Sequence, residues 1–159
     1  MVTLDYRFNK EELKKLDGFD FDGLTLTDLD YYLFCGDIFF RVNGVSLDAP
    51  WGWIPIFNFC IRMNFVLSDL QSRGRALLEF TENDATIVFD SQDSSVAIRA
   101  DYANAFARCN PEELRNAVTA FSEKLLREMV AKWPKLPNTS AFQERCQTIR
   151  STISLALTF

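Results

Sequence analysis

The chain has 159 residues, of which 48% are hydrophobic and 25% are charged. This length and composition are typical of one globular domain spanning residues 1–159, and they exclude a disordered chain, a collagen-like repeat and a coiled-coil rod. The sequence contains no histidine. A His-based catalytic triad, a Cys–His nucleophile pair and a His-ligated zinc ion are therefore excluded as well.

Acidic residues are concentrated in the first third of the chain. The net charge is −5, and residues 1–50 carry ten acids against five bases. A nucleic-acid binder usually shows the reverse, a basic stripe with aromatic residues among it, so we expect no nucleic-acid partner. The charge either serves solubility alone or marks a face that attracts a cationic protein, and the sequence leaves both interpretations open.

The four cysteines are far apart in the sequence, and no CxxC motif is present, so neither a zinc site nor a redox pair is indicated. They are Cys35, Cys60, Cys109 and Cys146. Their apolar neighbours favour buried, reduced thiols. The N-terminus has no apolar signal region, and no apolar stretch approaches about 18 residues. We therefore expect a cytoplasmic protein with no membrane partner and no cofactor.

The first thirty residues form an acidic N-terminal segment. It contains one short helix, because Asn9 and Glu12 have the spacing of a capping box. Beyond it the aromatic run Tyr31–Cys35 predicts an extended strand. Since adjacent strand residues point to opposite faces, one of the two tyrosines in that run is expected to face outward.

A hairpin follows. Asn43-Gly44 is the strongest turn signal in the sequence, and it joins the strands Ile38–Val42 and Val45–Leu47. A two-residue turn pairs Val42 with Val45 and places the apolar side chains of both strands on one face. Residues 48–52 are then expected to form a loop.

Residues 53–72 are apolar almost all round a helical projection. Such a helix is largely buried, and Gly74 is placed to end it. Phe57, Ile61 and Phe65 share one of its expected buried faces. Only a narrow polar stripe remains, formed by Asn58, Arg62 and Asp69.

Three further strands and two helices complete the chain. The strands are expected to form a meander: Ala76–Phe80, Ala85–Phe89 and Val96–Ala100. They close a strand-rich part over residues 31–105, and a helical pair follows over residues 110–159, opened by a capping box with a proline at its first helical position. The predicted fold is therefore α+β, an antiparallel sheet of hairpin plus meander packed with one buried central helix and two C-terminal helices.

Two acidic sets and three aromatic residues are the candidate partner-binding residues. They are Asp17, Asp20, Asp22, Asp28 and Asp30; Glu82, Asp84 and Asp93; and Tyr31, Tyr32 and Trp51. Asp20–Gly23 is similar to part of a calcium loop, but the required final acid is replaced by Leu29, so no metal site is predicted. Exposed turn carboxylates lack the burial that tunes a pKa, so no catalytic residue is predicted either. Trp51 is expected either to cover the central helix or to anchor a partner.

The chain resembles the small acidic immunity proteins that accompany bacterial polymorphic or contact-delivered toxins. The resemblance rests on the hairpin Phe39–Gly44, the apolar segment Trp51–Leu70, and Leu78–Asp84 leading into Ile87–Phe89. It implies a stoichiometric inhibitor that covers the active site of a cationic toxin, such as a nuclease, with clustered carboxylates.

Two alternatives stay open beside this hypothesis. One is a structural or adaptor protein that acts through homo- or hetero-oligomerisation. The other is a small enzyme that uses carboxylates for acid–base chemistry.

Overall fold

The computed structural model describes the backbone of residues 1–157 and the side chains of residues 1–153. Strands and α-helices follow one another in this order: β1 (Val2–Phe8), α1 (Lys10–Leu13), β2 (Cys35–Val42), β3 (Val45–Ser46), β4 (Ala49–Pro55), α2 (Ile56–Arg73), β5 (Arg75–Glu79), β6 (Thr86–Gln92), β7 (Ser95–Ala100), β8 (Ala105–Cys109), α3 (Pro111–Lys132) and α4 (Ser140–Leu157). Residues 158 and 159 of the predicted helical pair lie outside the described residues.

The predicted α+β class is confirmed, but the strands form two antiparallel sheets where a single sheet was expected. In the first sheet β2 pairs with β1, β3 and β4. The second sheet is a four-stranded meander, β5-β6-β7-β8. Strands β1 and β8 were not predicted, although β1 alternates apolar and polar residues with the period of a half-buried strand.

The predicted hairpin is confirmed in both turn and register. Val42 pairs with Val45, and the Leu47 amide donates to the Phe40 carbonyl at 2.7 Å. Asn43 and Gly44 both have positive φ, +48° and +83°, which is the backbone conformation of a type I′ turn.

The loop expected over residues 48–52 is wrong, because Ala49–Pro55 forms β4 along the edge of β2. The central helix accordingly begins at Ile56, three residues later than predicted. Its predicted end is confirmed, since Gly74 adopts the left-handed conformation and its amide caps the Leu70 carbonyl.

The central helix α2 holds the core together. It contacts the meander at β5 and both C-terminal helices. Phe57 stacks on Phe142 of α4 with ring centroids 5.6 Å apart, and Phe59 meets Phe121 of α3 edge-on at 6.0 Å. The predicted helix start at Asn110 is confirmed with its complete capping box.

Candidate protein-binding surface

Tyr31 and Tyr32 both face outward. The strand predicted over Tyr31–Cys35 is wrong in its first part, since Asp28–Tyr32 forms a π-helical turn and β2 begins only at Cys35. Successive residues of a helical turn diverge by about 100° instead of the 180° of a strand. Both side chains are therefore exposed, by 41% and 61%, and their rings meet edge-on at 6.5 Å.

Two aspartates of the acidic segment bind the segment's own backbone. Asp28 and Thr25 form a reciprocal capping box, in which the Thr25 amide donates to Asp28 Oδ2 at 3.0 Å and the Asp28 amide donates to Thr25 Oγ1 at 3.1 Å. Asp20 accepts the Asp22 amide at 3.0 Å. These carboxylates shape the loop that carries the tyrosines.

Asp30 does not belong to an open acidic surface, and this part of the prediction is corrected. Its carboxylate forms a two-pronged ion pair with the Arg145 guanidinium of α4, Nε to Oδ1 at 3.0 Å and Nη2 to Oδ2 at 2.5 Å, and the residue is only 8% exposed. Its hydrogen bond to Asp30 raises the pKa of Arg145 above its usual value. The pair therefore fixes the tyrosine turn to the last helix.

The remaining predicted acids are exposed but do not form one cluster. Glu82 and Asp84 lie in the β5–β6 turn, whereas Asp93 lies in the β6–β7 turn at the other end of β6. A strand of this length separates its two turns by roughly 20 Å, so Asp93 is not brought to the other acids.

Glu82, in contrast, lies on the side of the molecule that carries α1. Burial raises the pKa of the Cys35 thiol to about 11, with Glu12 of α1 and Glu82 both contributing and Lys15 opposing. The two carboxylates therefore act on the same thiol from different parts of the sequence. Thr81, which precedes Glu82, lines a small cavity with Pro55, the strand partner of Cys35, so the first meander turn lies near the start of β2.

Trp51 is half-buried within an aromatic cluster between β4 and the meander. Its ring stacks on Trp53 at 5.1 Å and meets Phe80 and Tyr102 edge-on at 4.9 and 5.0 Å. The Tyr102 hydroxyl donates to the Leu47 carbonyl at 2.6 Å, which ties the same cluster to the hairpin. Of the two interpretations of Trp51, the geometry favours packing over anchoring a partner.

Beside the tyrosines lies a cavity of about 270 Å³ that the sequence analysis missed. We call it the aromatic groove, and its lining residues are Asp30, Asn58, Ile61, Arg62, Phe65 and Arg145. Tyr31 directly follows the lining residue Asp30 in the same turn. Phe65 was expected to be buried but is 48% exposed. The stripe Asn58-Arg62-Phe65-Asp69 at helical spacing already indicated its true side of α2.

The cysteines are confirmed as free, buried thiols. Burial raises the pKa of Cys60 to about 12 and that of Cys109 and Cys146 to about 11. A thiol with such a pKa stays protonated at neutral pH and is a poor nucleophile. Within the described part of the chain, no cluster of three or more Cys, Asp or Glu is placed to hold a metal ion.

Comparison with known proteins gives no further direction. Neither the protein-family models, nor the curated proteins, nor the solved structures contain a match to this chain. None of the helices within the described residues combines the length and apolar character needed to cross a bilayer. The function is therefore inferred from the surfaces of the molecule.

Proposed function

We propose that this chain is a non-catalytic binding protein of the immunity kind, which neutralises a cationic protein toxin by covering its active site. The observation that carries the proposal is the exposed Tyr31–Tyr32 pair, set on a braced turn between the aromatic groove and the acidic segment.

The tyrosine pair has the properties of a binding hot spot. Tyrosine offers a large amphipathic surface at low cost in side-chain entropy, and it is enriched where interfaces derive most of their affinity. The turn is held at its start by the Thr25–Asp28 capping box and at its middle residue by the Asp30–Arg145 ion pair. A turn fixed before binding loses little freedom when a partner arrives.

Charge supplies the attraction to a cationic partner. Asp17 and Asp22 are exposed next to this turn in sequence, and among the described residues neither carboxylate has a hydrogen-bond or ion-pair partner. Glu82 and Asp84 add a second exposed pair on the side of α1. Open carboxylates of this kind accelerate encounter with a basic cleft, and the effect weakens with salt.

The protonation and pairing of the buried side chains also support a protein that acts by binding. The thiols are buried with raised pKa values. Buried Asp30 is paired with an arginine, and buried Asp37 accepts two hydrogen bonds from Arg7 at 3.0 and 2.7 Å. Asp30 lines the aromatic groove, but each of its carboxylate oxygens accepts a hydrogen bond from Arg145, whereas a general base needs an oxygen directed at its substrate.

The test is co-expression in a bacterial host with each reading frame that adjoins this gene, scored for growth. We expect one neighbour to be toxic alone and tolerated with this chain. Replacing Tyr31 and Tyr32 by alanine, or Asp17 and Asp22 by lysine, should abolish rescue. The matched control replaces Glu112 and Glu123 of α3 by lysine, which changes the net charge equally and should preserve rescue.

Two results would contradict the proposal. One is the absence of a toxic neighbour that this chain neutralises. The other is rescue that survives both double substitutions in protein shown to be folded, because the surface assigned here would then be wrong.

A further inference from the structure

The outer face of the meander sheet carries an ordered row of side chains that nothing within the described residues covers. Strand pairing aligns Leu77 with Val88, Val88 with Arg99, and Arg99 with Phe106, one residue from each strand. Leu77 is 53% exposed and Phe106 is 45% exposed, whereas Ala76, Leu78 and Ala107 beside them on the inner face are buried. We call this line of residues the middle row.

The outer face is charged in opposite senses at its two ends. Along the strands, the next row in one direction carries Glu79 and Thr86, with Asp101 directly after β7. The next row in the other direction carries Arg75, Asp90 and Arg108. Each row lies about 7 Å from the middle row, because residues i and i+2 of a strand share a face.

We propose that this face binds the same face of a second copy of the chain. A two-fold axis along the middle row reverses the strand direction, so the acidic row of each copy meets the arginine row of the other. Glu79 of one copy then faces Arg75 of the other. Asp101 faces Ala97 of the other copy, and Arg108 lies one strand away beside that Ala97. Residues of the middle row meet their own copies, so Leu77 contacts Leu77, Phe106 contacts Phe106, and the two Arg99 side chains must turn aside toward the acidic rows.

Charge balance favours a second copy as the occupant. The chain has a net charge of −5, so two copies repel each other as whole molecules. The outer face itself is balanced, with three arginines against three acids: Arg75, Arg99 and Arg108 against Glu79, Asp90 and Asp101. Two copies can therefore meet at this face without net repulsion between the faces and with complementary ends.

The exposed ring of Phe106 provides an apolar centre on this face. The guanidinium groups of Arg99 and Arg108 lie 5.1 and 5.4 Å from the centre of the Phe106 ring, which holds the ring in place. A cavity of about 520 Å³ opens beside it, lined in part by Val88 and Asp101. Four strands offer an area of roughly 400 Å² per copy, which suits a weak, concentration-dependent dimer and not an obligate one.

The proposal is independent of the function proposed above and is tested on the purified full chain. Sedimentation equilibrium from about 1 µM to about 500 µM brackets the affinity of a weak dimer. We expect the wild-type mass to rise toward that of a dimer. Leu77→Asp and Phe106→Asp should each weaken dimerisation at least tenfold, and Val130→Asp on the exposed face of α3 should leave it unchanged.

A charge exchange identifies the geometry. Glu79→Arg and Arg75→Glu should each weaken the dimer, and the double variant should restore it, because the two-fold axis pairs these positions across the interface. A chain that stays monomeric throughout the concentration range would overturn the proposal, even if another protein is found to bind this face. So would a dimer that Val130→Asp disrupts as strongly as Leu77→Asp, or singles that the double variant does not rescue.

Discussion

Residues 17–30 of the acidic N-terminal segment and the meander sheet place their side chains in opposite ways. In the acidic segment, aspartates that are close in sequence make different contacts: Asp20 and Asp28 bind nearby backbone, and Asp30 pairs with Arg145 of the last helix. In the meander, Leu77 and Phe106 are far apart in sequence and are aligned by strand register. A surface of this protein therefore cannot be inferred from local sequence density alone.

The largest expected effect separates the two faces of the meander. Leu78 is buried beneath the sheet, and Leu77 beside it points outward. Leu78→Ala should lower the free energy of unfolding by about 3 kcal/mol because it leaves a cavity in the core. Leu77→Ala should change it by less than about 0.5 kcal/mol. Urea denaturation checks both, and equal losses would contradict the assignment of an open outer face.

A smaller effect separates the aspartates of the acidic segment. Asp30→Asn should lower the free energy of unfolding by about 2 kcal/mol, since Arg145 loses its ionised partner in a largely buried pair. Asp22→Asn is the matched control at an exposed position and should have an effect close to zero. If the two variants have the same stability, the structural role given to Asp30 is wrong.

Alkaline pH provides a third contrast, between a thiol buried in the folded core and the same thiol in the unfolded chain. Burial raises the pKa of Cys60 from 9.0 to about 12, although its hydrogen bond with Ser122 opposes the shift. The unfolded thiol ionises first, so stability is complete below pH 9 and decreases as pH rises toward 12. Between pH 8 and pH 10, ionisation of this thiol in the unfolded chain should lower the free energy of unfolding by about 1 kcal/mol.

The measurement is the urea midpoint of the wild type and of Cys60→Ala at both pH values. The variant starts from a lower stability but should lose less of it on going to pH 10. A pH dependence that is unchanged in Cys60→Ala would show that the thiol does not contribute as described.

The smallest effect concerns the capping box in front of the tyrosines. Thr25→Ala removes a hydroxyl that accepts the Asp28 amide and should cost about 0.5–1 kcal/mol. Thr27→Ala, an exposed threonine without a capping contact within the described residues, is the control. Hydrogen exchange of the Asp28–Tyr32 amides should accelerate only in Thr25→Ala, and equal exchange in both would remove the argument for a pre-formed turn.

Much of the fold was predictable because its signals are local. The Asn43-Gly44 turn, the Gly74 helix end and the Asn110 capping box are each encoded by a few adjacent residues, and all three are confirmed. The first strand was also predictable, since Val2–Phe8 alternates apolar and polar side chains. Strand β8 lacks this pattern, because the apolar Phe106 lies on its outer face.

The candidate surface was less predictable because it depends on distant partners. The burial of Asp30 depends on Arg145, which is 115 residues away in sequence. The exposure of both tyrosines depends on a π-helical turn where aromatic composition favoured a strand. Register between β5 and β8 is likewise set by pairing across the whole meander, which no short sequence window contains.

The most direct test of the proposed function is the stoichiometry of inhibition. Once a toxic neighbour is purified, its activity is measured at increasing molar ratios of this chain. A protein that acts by covering an active site should reduce the activity linearly to zero at one equivalent, independently of incubation time. Complete loss of toxin activity far below one equivalent, increasing with time, would show catalytic turnover and contradict the account.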